Sequence, residues 1–306
     1  MSEPVLVMAF NRPGHLAELL ERLRGVRPDS VYIAVDGPRP QRPGEEDLVQ
    51  ACRDLVSTID WRCEVRTLFQ ETNLGCGLGV STAITWFFSH VERGIILEDD
   101  IIPDPSFFDF CGELLARYQH DERVFAISGC SVVPRAQLTR PDQAYRFSQL
   151  PVVWGWATWR RSWRLHRLRD AGWYRRLPPH RLLQRSGYSV PASTFWASEY
   201  ELTARGAEDT WDWQLVCAAM TSGQLVATCN TNLVDNIGHG EDATHTVHGS
   251  SSLEPSRPVS LPTAAVPVVV DRRADVWTTK YHYKAGLMST VDRVRHFAIP
   301  SRGIRK

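Results

Sequence analysis

Short apolar runs alternate with stretches of helical period through the first 128 residues, the arrangement produced by a mainly parallel sheet covered by helices. Five strands are predicted, at Val5 to Phe10, Val31 to Val35, Val65 to Phe69, Gly94 to Leu97 and Val124 to Ser128. Between the first two, Leu16, Leu19, Leu20 and Leu23 share one helical face, and Pro13 stands where a first helical turn tolerates it. Leu48, Cys52 and Leu55 predict a second helix, and Val80, Ile84, Phe87 and Phe88 a third. Asp104 followed by Pro105 has the form of an N-cap and first helical residue, opening a helix that buries Phe107, Cys111, Leu114 and Tyr118.

After Gly129 the pattern turns tryptophan-rich, arginine-rich and loop-rich, which fits a smaller mixed region packed on the same sheet better than another βαβ repeat. The expected division is therefore 1–129, then 130–248 as the other half of one domain, then 249–306. That last part reads as a Ser/Pro-rich linker over 249–263, a strand-like run from Val266 to Val270, and a basic tail from Arg293 to Lys306. Among the tryptophans, the spacing of Trp156, Trp159 and Trp163 follows a helical period, so core packing is expected for the latter two.

Composition narrows the class. With 43% hydrophobic and 23% charged residues the chain is an ordinary folded protein, and 35 basic residues against 35 acidic ones leave no overall field for nucleic acid or an anionic membrane. Three lysines among the basic residues reflect the codon usage of a GC-rich genome. Seven scattered cysteines without a C-x-x-C pair suit reduced thiols. No secretion signal and no apolar run long enough to span a bilayer is visible, so the expected location is the cytoplasm.

The chemistry is sought where open α/β sheets bind ligands, beyond the carboxyl ends of their strands. The run Gly94 to Leu97 ends in Glu98-Asp99-Asp100, three adjacent carboxylates that repel one another unless a cation or donors offset them. Hard oxygen ligands suit Mn²⁺ or Mg²⁺, with phosphate oxygens of a substrate completing the shell. The alternative is an acidic turn that is merely solvated. Val31 to Val35 ends in Asp36-Gly37, a second carboxylate at the same edge, able to accept from a base or ribose, with a glycine that lets a ligand approach the backbone. Arg12, just after the first strand, can pair with a base or phosphate through its planar fork.

In order along the chain, Phe10-Asn11-Arg12, Val35-Asp36-Gly37, Glu71 to Gly77, Ile95 to Asp100, Trp154 to Trp159, Asp209 to Trp213 and Asn236 to Thr246 resemble the GT-A glycosyltransferases similar to N-acetylglucosaminyltransferase I and its bacterial HlpA-like relatives. The resemblance implies a GT-A, Rossmann-like fold and a metal-dependent, inverting transfer of sugar from a nucleotide diphosphate donor to a hydroxyl-bearing acceptor. The 1–129 half would bind the nucleotide sugar and the 130–248 half the acceptor. It carries the metal to Asp100, and donor binding to Glu98, Asp99, Asn11, Arg12, Asp36, Asn73 and Gly75. At Asn11 the eukaryotic relative has an acid, which leaves the base open. The family's general base, from a W-D-D-W segment, falls on Asp212, or on Asp209 if the alignment slides; an N-cap at Asp209 is the structural alternative.

His245, with His239 second, could reach the metal or diphosphate from a glycine-flanked loop over 238–245. Trp154, Gly155 and Trp156 could line the acceptor side, whose flat apolar faces suit sugars. The acceptor would be a small molecule or glycan. Two rivals stand beside this reading. A sugar nucleotidyltransferase would want a glycine-rich phosphate loop after the first strand, where this chain has Phe10-Asn11-Arg12-Pro13-Gly14-His15. A non-catalytic nucleotide-sugar-binding protein would keep the fold without turnover.

Overall fold

The computed structural model describes residues 2–187, 189–238, 254–260 and 264–285. Strands β1 (Val5–Ala9), β2 (Ser30–Val35), β3 (Glu64–Phe69), β4 (Arg93–Glu98), β5 (Ile101–Pro103), β6 (Val124–Ser128), β7 (Tyr145–Ser148), β8 (Trp156–Trp159), β9 (Leu225–Cys229) and β10 (Val234–Asn236) form two sheets. The large one has the order β3-β2-β1-β4-β8-β6-β9-β7, and the small one pairs β10 with β5. β1 lies parallel to β2 and β4, and β2 parallel to β3. β8 runs antiparallel between β4 and β6, β6 and β9 are parallel, and β7 closes the edge antiparallel to β9. The chain is thus α/β, with a mainly parallel Rossmann-like sheet. Three strands from beyond Gly129 belong to the same sheet as the first four.

The helices are α1 (Pro13–Val26), α2 (Glu45–Asp54), α3 (Gly75–His90), α4 (Pro105–Arg117), α5 (Arg160–Trp163), α6 (Trp173–Arg176), α7 (Pro179–Arg185), α8 (Val190–Ala204), α9 (Asp212–Ser222) and α10 (Arg272–Trp277). Strand alternation sorts the core into two layers. Val5, Val7, Val31, Ile33, Ile95 and Leu97 pack with α1, α2 and α4, whereas Leu6, Met8, Tyr32 and Ile96 pack with α3 and α9. A third cluster, around Phe195 and Trp196, joins α6, α7, α8 and the outer side of α9. β3 is an exposed edge whose Glu64 and Arg66 discourage further pairing.

Three expectations shift. In α2 the buried apolar residues are Val49 and Cys52, with Leu48 44% exposed and Leu55 outside the helix, because the helix docks through its Glu45-Val49-Cys52 stripe. Trp156 and Trp159 lie on a strand, so a spacing of three sends them to opposite faces: Trp156 to the α3 side, Trp159 to the α1 side. Core packing of Trp159 and Trp163 holds, Trp159 through the strand β8 and Trp163 from the short helix α5. Val266 to Val270 is no strand. Pro267 has no N–H, its carbonyl accepts from Val269 in a tight turn at 2.8 Å, and Val270 makes only an isolated bridge to Phe147.

The segment after that turn is pinned by carboxylates. Asp271 caps α10 through Ala274 N and takes Thr139 N and Oγ1, while buried Asp275 accepts from Ser148 Oγ at 2.6 Å and Gln149 N at 2.9 Å. We expect Asp275→Ala to lower the unfolding free energy by about 2–4 kcal/mol near pH 7, since two buried donors lose their acceptor; a denaturant titration reads it. Burial pushes the Asp275 carboxyl from 3.8 up to about 6. The native chain therefore holds that proton where the unfolded chain has lost it, and this group's contribution to stability falls as pH rises from about 4 to about 6. Asp275→Asn removes that slope.

Candidate active site

The carboxyl ends of β1, β2 and β4 open into a cavity of about 710 Å³. Its floor carries Met8, Ala34, Val80 and Ala83, and its walls include Arg12, the Glu98–Asp100 run, Trp154, the Asp209–Asp212 loop, Asn236 and Gly238. Most of the expected site residues share this one space, though they separate into distinct jobs.

The N-terminus of α3 forms one wall. Its free amides are divided between two carboxylates: Asp36 accepts from Leu74 N at 3.0 Å, and Asp209 accepts from Cys76 N at 2.9 Å and Gly77 N at 2.8 Å. Asp36 also takes Gly37 N and Asn73 Nδ2, at 2.9 and 3.0 Å, and Asn73 reaches on to the Gly37 carbonyl. Burial raises the Asp36 carboxyl despite those donors. Asp36 and Asn73 thus brace the β2 exit against α3, while Asp36 remains on the cavity lining. Gly37 likewise serves the fold, since a Cβ there would sit 2.4 Å from the Thr72 backbone. Gly75 has φ +79°, and a Cβ would meet Asp209 Oδ2 at 2.4 Å. Asp209 caps α3 across the cavity and does not cap α9, whose N-cap position is Trp211. The sequence alternative of a cap was right in kind and placed on the wrong helix.

Asp212 opens α9. Its Oδ1 accepts from Trp213 N at 3.0 Å and from Thr210 Oγ1, while Oδ2 has no hydrogen-bond partner among the described residues. Its charge reaches Glu98, whose carboxyl is held well above its usual range by burial first, then by Asp100, Asp99 and Asp212.

Glu98, Asp99 and Asp100 do not converge, because successive side chains near a strand end point apart. Asp99 is buried and is pushed up to about 7 by burial and by Asp100. Asp100 pairs with Arg12, Nη1 to Oδ2 3.1 Å, both side chains about one-fifth exposed. The β5/β10 pairing and the bond from Ile237 N to the Asp100 carbonyl, 2.9 Å, fix this turn. A Cβ on Gly238 would lie 2.1 Å from Asp100 Oδ2, so only glycine lets that backbone cross the carboxylate. Among the described residues no group of three His, Cys, Asp or Glu is set to hold a metal. The donor chemistry still suits a hard cation, since Glu98 and Asp100, two residues apart at the strand exit, put carboxylate oxygens on the same cavity wall as Asp212. His239 and His245 lie outside the described residues.

The opposite end of the cavity was largely missed. Asn11 Nδ2 donates to Glu45 Oε1 at 3.0 Å, and buried Glu45 clamps Arg39 through its backbone N, Nε and Nη2. The Arg39 guanidinium lies 5.2 Å over the Phe10 ring, with Arg42 and Gln70 nearby on the wall. Glu45 stands in an acidic helix start that looks solvated in sequence, and nothing in its pattern marks it as buried.

On the wall expected to take an acceptor, Trp154 lines the cavity and its ring meets His282 edge to face at 5.7 Å. Trp156 does not line it. At 2% exposure it stacks behind Trp211, 5.8 Å between centroids, so Trp211 presents the aromatic wall expected of Trp156. Gly155, at φ +67°, turns the chain against Val234 and makes no wall.

Comparison with known proteins adds little to this geometry. No protein-family model matches the chain, and no curated protein matches it. Among the solved structures that are similar in part are the following. The inositol-1-phosphate CTP transferase from T. maritima is 12% identical over 80% of this chain and 93% of its own, TM-score 0.40. UDP-glucose pyrophosphorylase complexed with UDP-glucose is 9% identical over 75% and 90%, TM-score 0.37. HddC from Yersinia pseudotuberculosis is 10% identical over 52% and 77%, TM-score 0.33. None is named as a glycosyltransferase, so the specific likeness to N-acetylglucosaminyltransferase I finds no support here, and at these scores the likenesses carry no argument about chemistry.

Proposed function

We propose that the chain is a metal-dependent, inverting glycosyltransferase that moves a sugar from a nucleotide diphosphate donor to an acceptor hydroxyl. The observation that carries this reading is the division of labour among the carboxylates. Asp36 and Asp209 are consumed by the amides of α3, whereas Asp212 keeps one oxygen open on the wall shared with Glu98 and Asp100. One accessible base beside an acidic metal-type cluster is what a single displacement needs: Asp212 takes the acceptor proton as the hydroxyl oxygen attacks the anomeric carbon from the face opposite the leaving diphosphate. Asp100 and Glu98 would hold Mn²⁺ or Mg²⁺, which when bound offsets charge on the departing diphosphate. Arg12 serves the phosphates, Phe10, Asn11 and Arg39 the nucleoside end, and Trp154 with Trp211 the acceptor.

Nucleotidyl transfer is the weaker reading on one structural ground. Only Phe10, Asn11 and Arg12 separate β1 from α1, leaving no glycine-rich loop to cradle a triphosphate. A panel of nucleotide sugars tests the proposal by thermal stabilisation: one donor class should raise the melting temperature only when Mn²⁺ is present, and no shift with any donor would contradict it.

The Arg12–Asp100 pair gives a prediction of unusual sign. A cation arriving alone must displace a guanidinium, whereas a diphosphate draws Arg12 away and frees Asp100. Arg12→Met should therefore bind Mn²⁺ alone about fivefold more tightly than the unaltered protein while binding the nucleotide more weakly, the order of an ion pair worth about 1 kcal/mol. Titration of the metal by calorimetry or electron paramagnetic resonance checks it; weaker Mn²⁺ binding would contradict it.

A further inference from the structure

Residues 160–185 hold nine of the chain's thirty-two arginines and a single acid, Asp170. Genome-wide codon usage raises arginine evenly, so this local density, several times that of the remaining chain, has another cause. The chain as a whole is neutral, which makes the segment a true charge asymmetry.

The fold turns this charge outward. Trp173, Leu177 and Leu182 insert into the cluster around Phe195 and Trp196, which leaves Arg175, Arg176 and Arg181 of α6 and α7 exposed on the reverse side. Arg164 and Arg167 are exposed on the preceding loop, and Arg176 is paired with Asp170 at that loop's end, which ties the loop to α6. Arg164, Arg167, Arg175 and Arg181 have no carboxylate partner among the described residues. Leu165, 39% exposed, and Tyr174, 48% exposed, stand between them. The depression bounded by Leu165, Arg167 and Arg176 has room for only about 10 Å³, too little to enclose a small ligand, so the charge is presented on an open surface.

The same surface abuts the active site. His166 stacks on Trp163 at 4.2 Å, its Nε2 lies 3.1 Å from the Trp211 carbonyl, and Gln214 Nε2 donates to the Leu168 carbonyl at 3.2 Å. The arginine loop is therefore fastened to the turn that presents Trp211 and Asp212.

We propose that the face formed by residues 164–181 docks on an anionic phospholipid surface, with arginines at the headgroups and Leu165 and Tyr174 at the interface, so that the cavity's Trp211–Asp212 side addresses an acceptor carried at the membrane. The docking itself does not depend on the metal or on the donor, whereas the role given to the acceptor rests on the transfer reaction proposed above. No helix among the described residues is long and apolar enough to cross a membrane, so attachment by this route is peripheral.

Vesicle co-sedimentation of the full chain tests it, with phosphatidylcholine vesicles made with and without phosphatidylglycerol. Binding should require phosphatidylglycerol and disappear at about 0.5 M salt. Each basic residue at such a surface is worth about fivefold, so a variant carrying Arg164→Gln, Arg167→Gln, Arg175→Gln and Arg181→Gln should partition at least about a hundredfold less. A control with the same charge change on other elements, Arg22→Gln, Arg62→Gln, Arg135→Gln and Arg272→Gln, should keep most binding, and both variants should unfold at the unaltered melting temperature. The proposal is overturned by failure of the unaltered chain to bind, by survival of binding in the first variant, by an equal loss in the control, or by retention on an acidic polysaccharide with none on vesicles.

Discussion

Asp212→Asn is expected to lower the turnover of sugar transfer by about 10²–10⁴-fold while donor affinity stays nearly unchanged, the signature of a group that acts only in the transition state. The expectation follows from its open Oδ2 and its place on the cavity wall. Asp209 provides the contrast. Asp209→Asn keeps an acceptor oxygen for only one of the two α3 amides, since Cys76 N and Gly77 N bond different oxygens, and should retain most activity at some cost in stability, whereas Asp209→Ala loses both bonds and should cost about 1–2 kcal/mol as a lost cap. Turnover measured for the three variants beside their unfolding curves separates the roles. If Asp209→Asn is the dead variant and Asp212→Asn the active one, the base assignment is reversed.

The second large effect is at the β4 turn. Asp100→Ala should weaken nucleoside diphosphate binding in the presence of Mn²⁺ by at least about a hundredfold, more than the loss caused by disturbing a ligand's supporting residue. In a chelator the same variant should bind the nucleotide no worse than the unaltered chain, because Arg12 is released from its 3.1 Å pair and becomes available to phosphate. Isothermal titration with and without metal shows both effects. Equal affinity of the two proteins in Mn²⁺ would remove Asp100 from the site.

Much of the fold was legible because its strands are short, apolar and bounded by clear turn residues. The five predicted strands all occur within a residue or two of the expected limits, and Leu16, Leu19, Leu20 and Leu23 are buried as their spacing requires. The Asp104 cap also appears, accepting from Ser106 N at 2.8 Å. Legibility ends where long-range packing decides. Nothing local says that β8 inserts between β4 and β6, and without that strand Trp156 and Trp159 read as one helical face.

The candidate site was legible as a set of residues and less so as a set of roles. Arg12, Asp36, Asn73, Gly75, Glu98, Asp99, Asp100, Trp154, Asp209 and Asp212 all line one cavity. Sequence could not show that Asp36 and Asp209 are committed to the same helix terminus, since that helix sits between them in space and 132 residues separate Gly77 from Asp209. Nor could it find Glu45, whose importance comes from burial against Arg39 and Asn11.

The central claim is that this acidic cavity breaks the bond between sugar and diphosphate. The most direct test supplies the purified chain and Mn²⁺ with each nucleotide sugar, and separately with each nucleoside triphosphate plus sugar 1-phosphate, and identifies the phosphate product. The account predicts free nucleoside diphosphate from one nucleotide sugar, with slow hydrolysis even when no acceptor is supplied, and nothing from the second mixture. Pyrophosphate from the second mixture, with no nucleoside diphosphate from any donor, would contradict it.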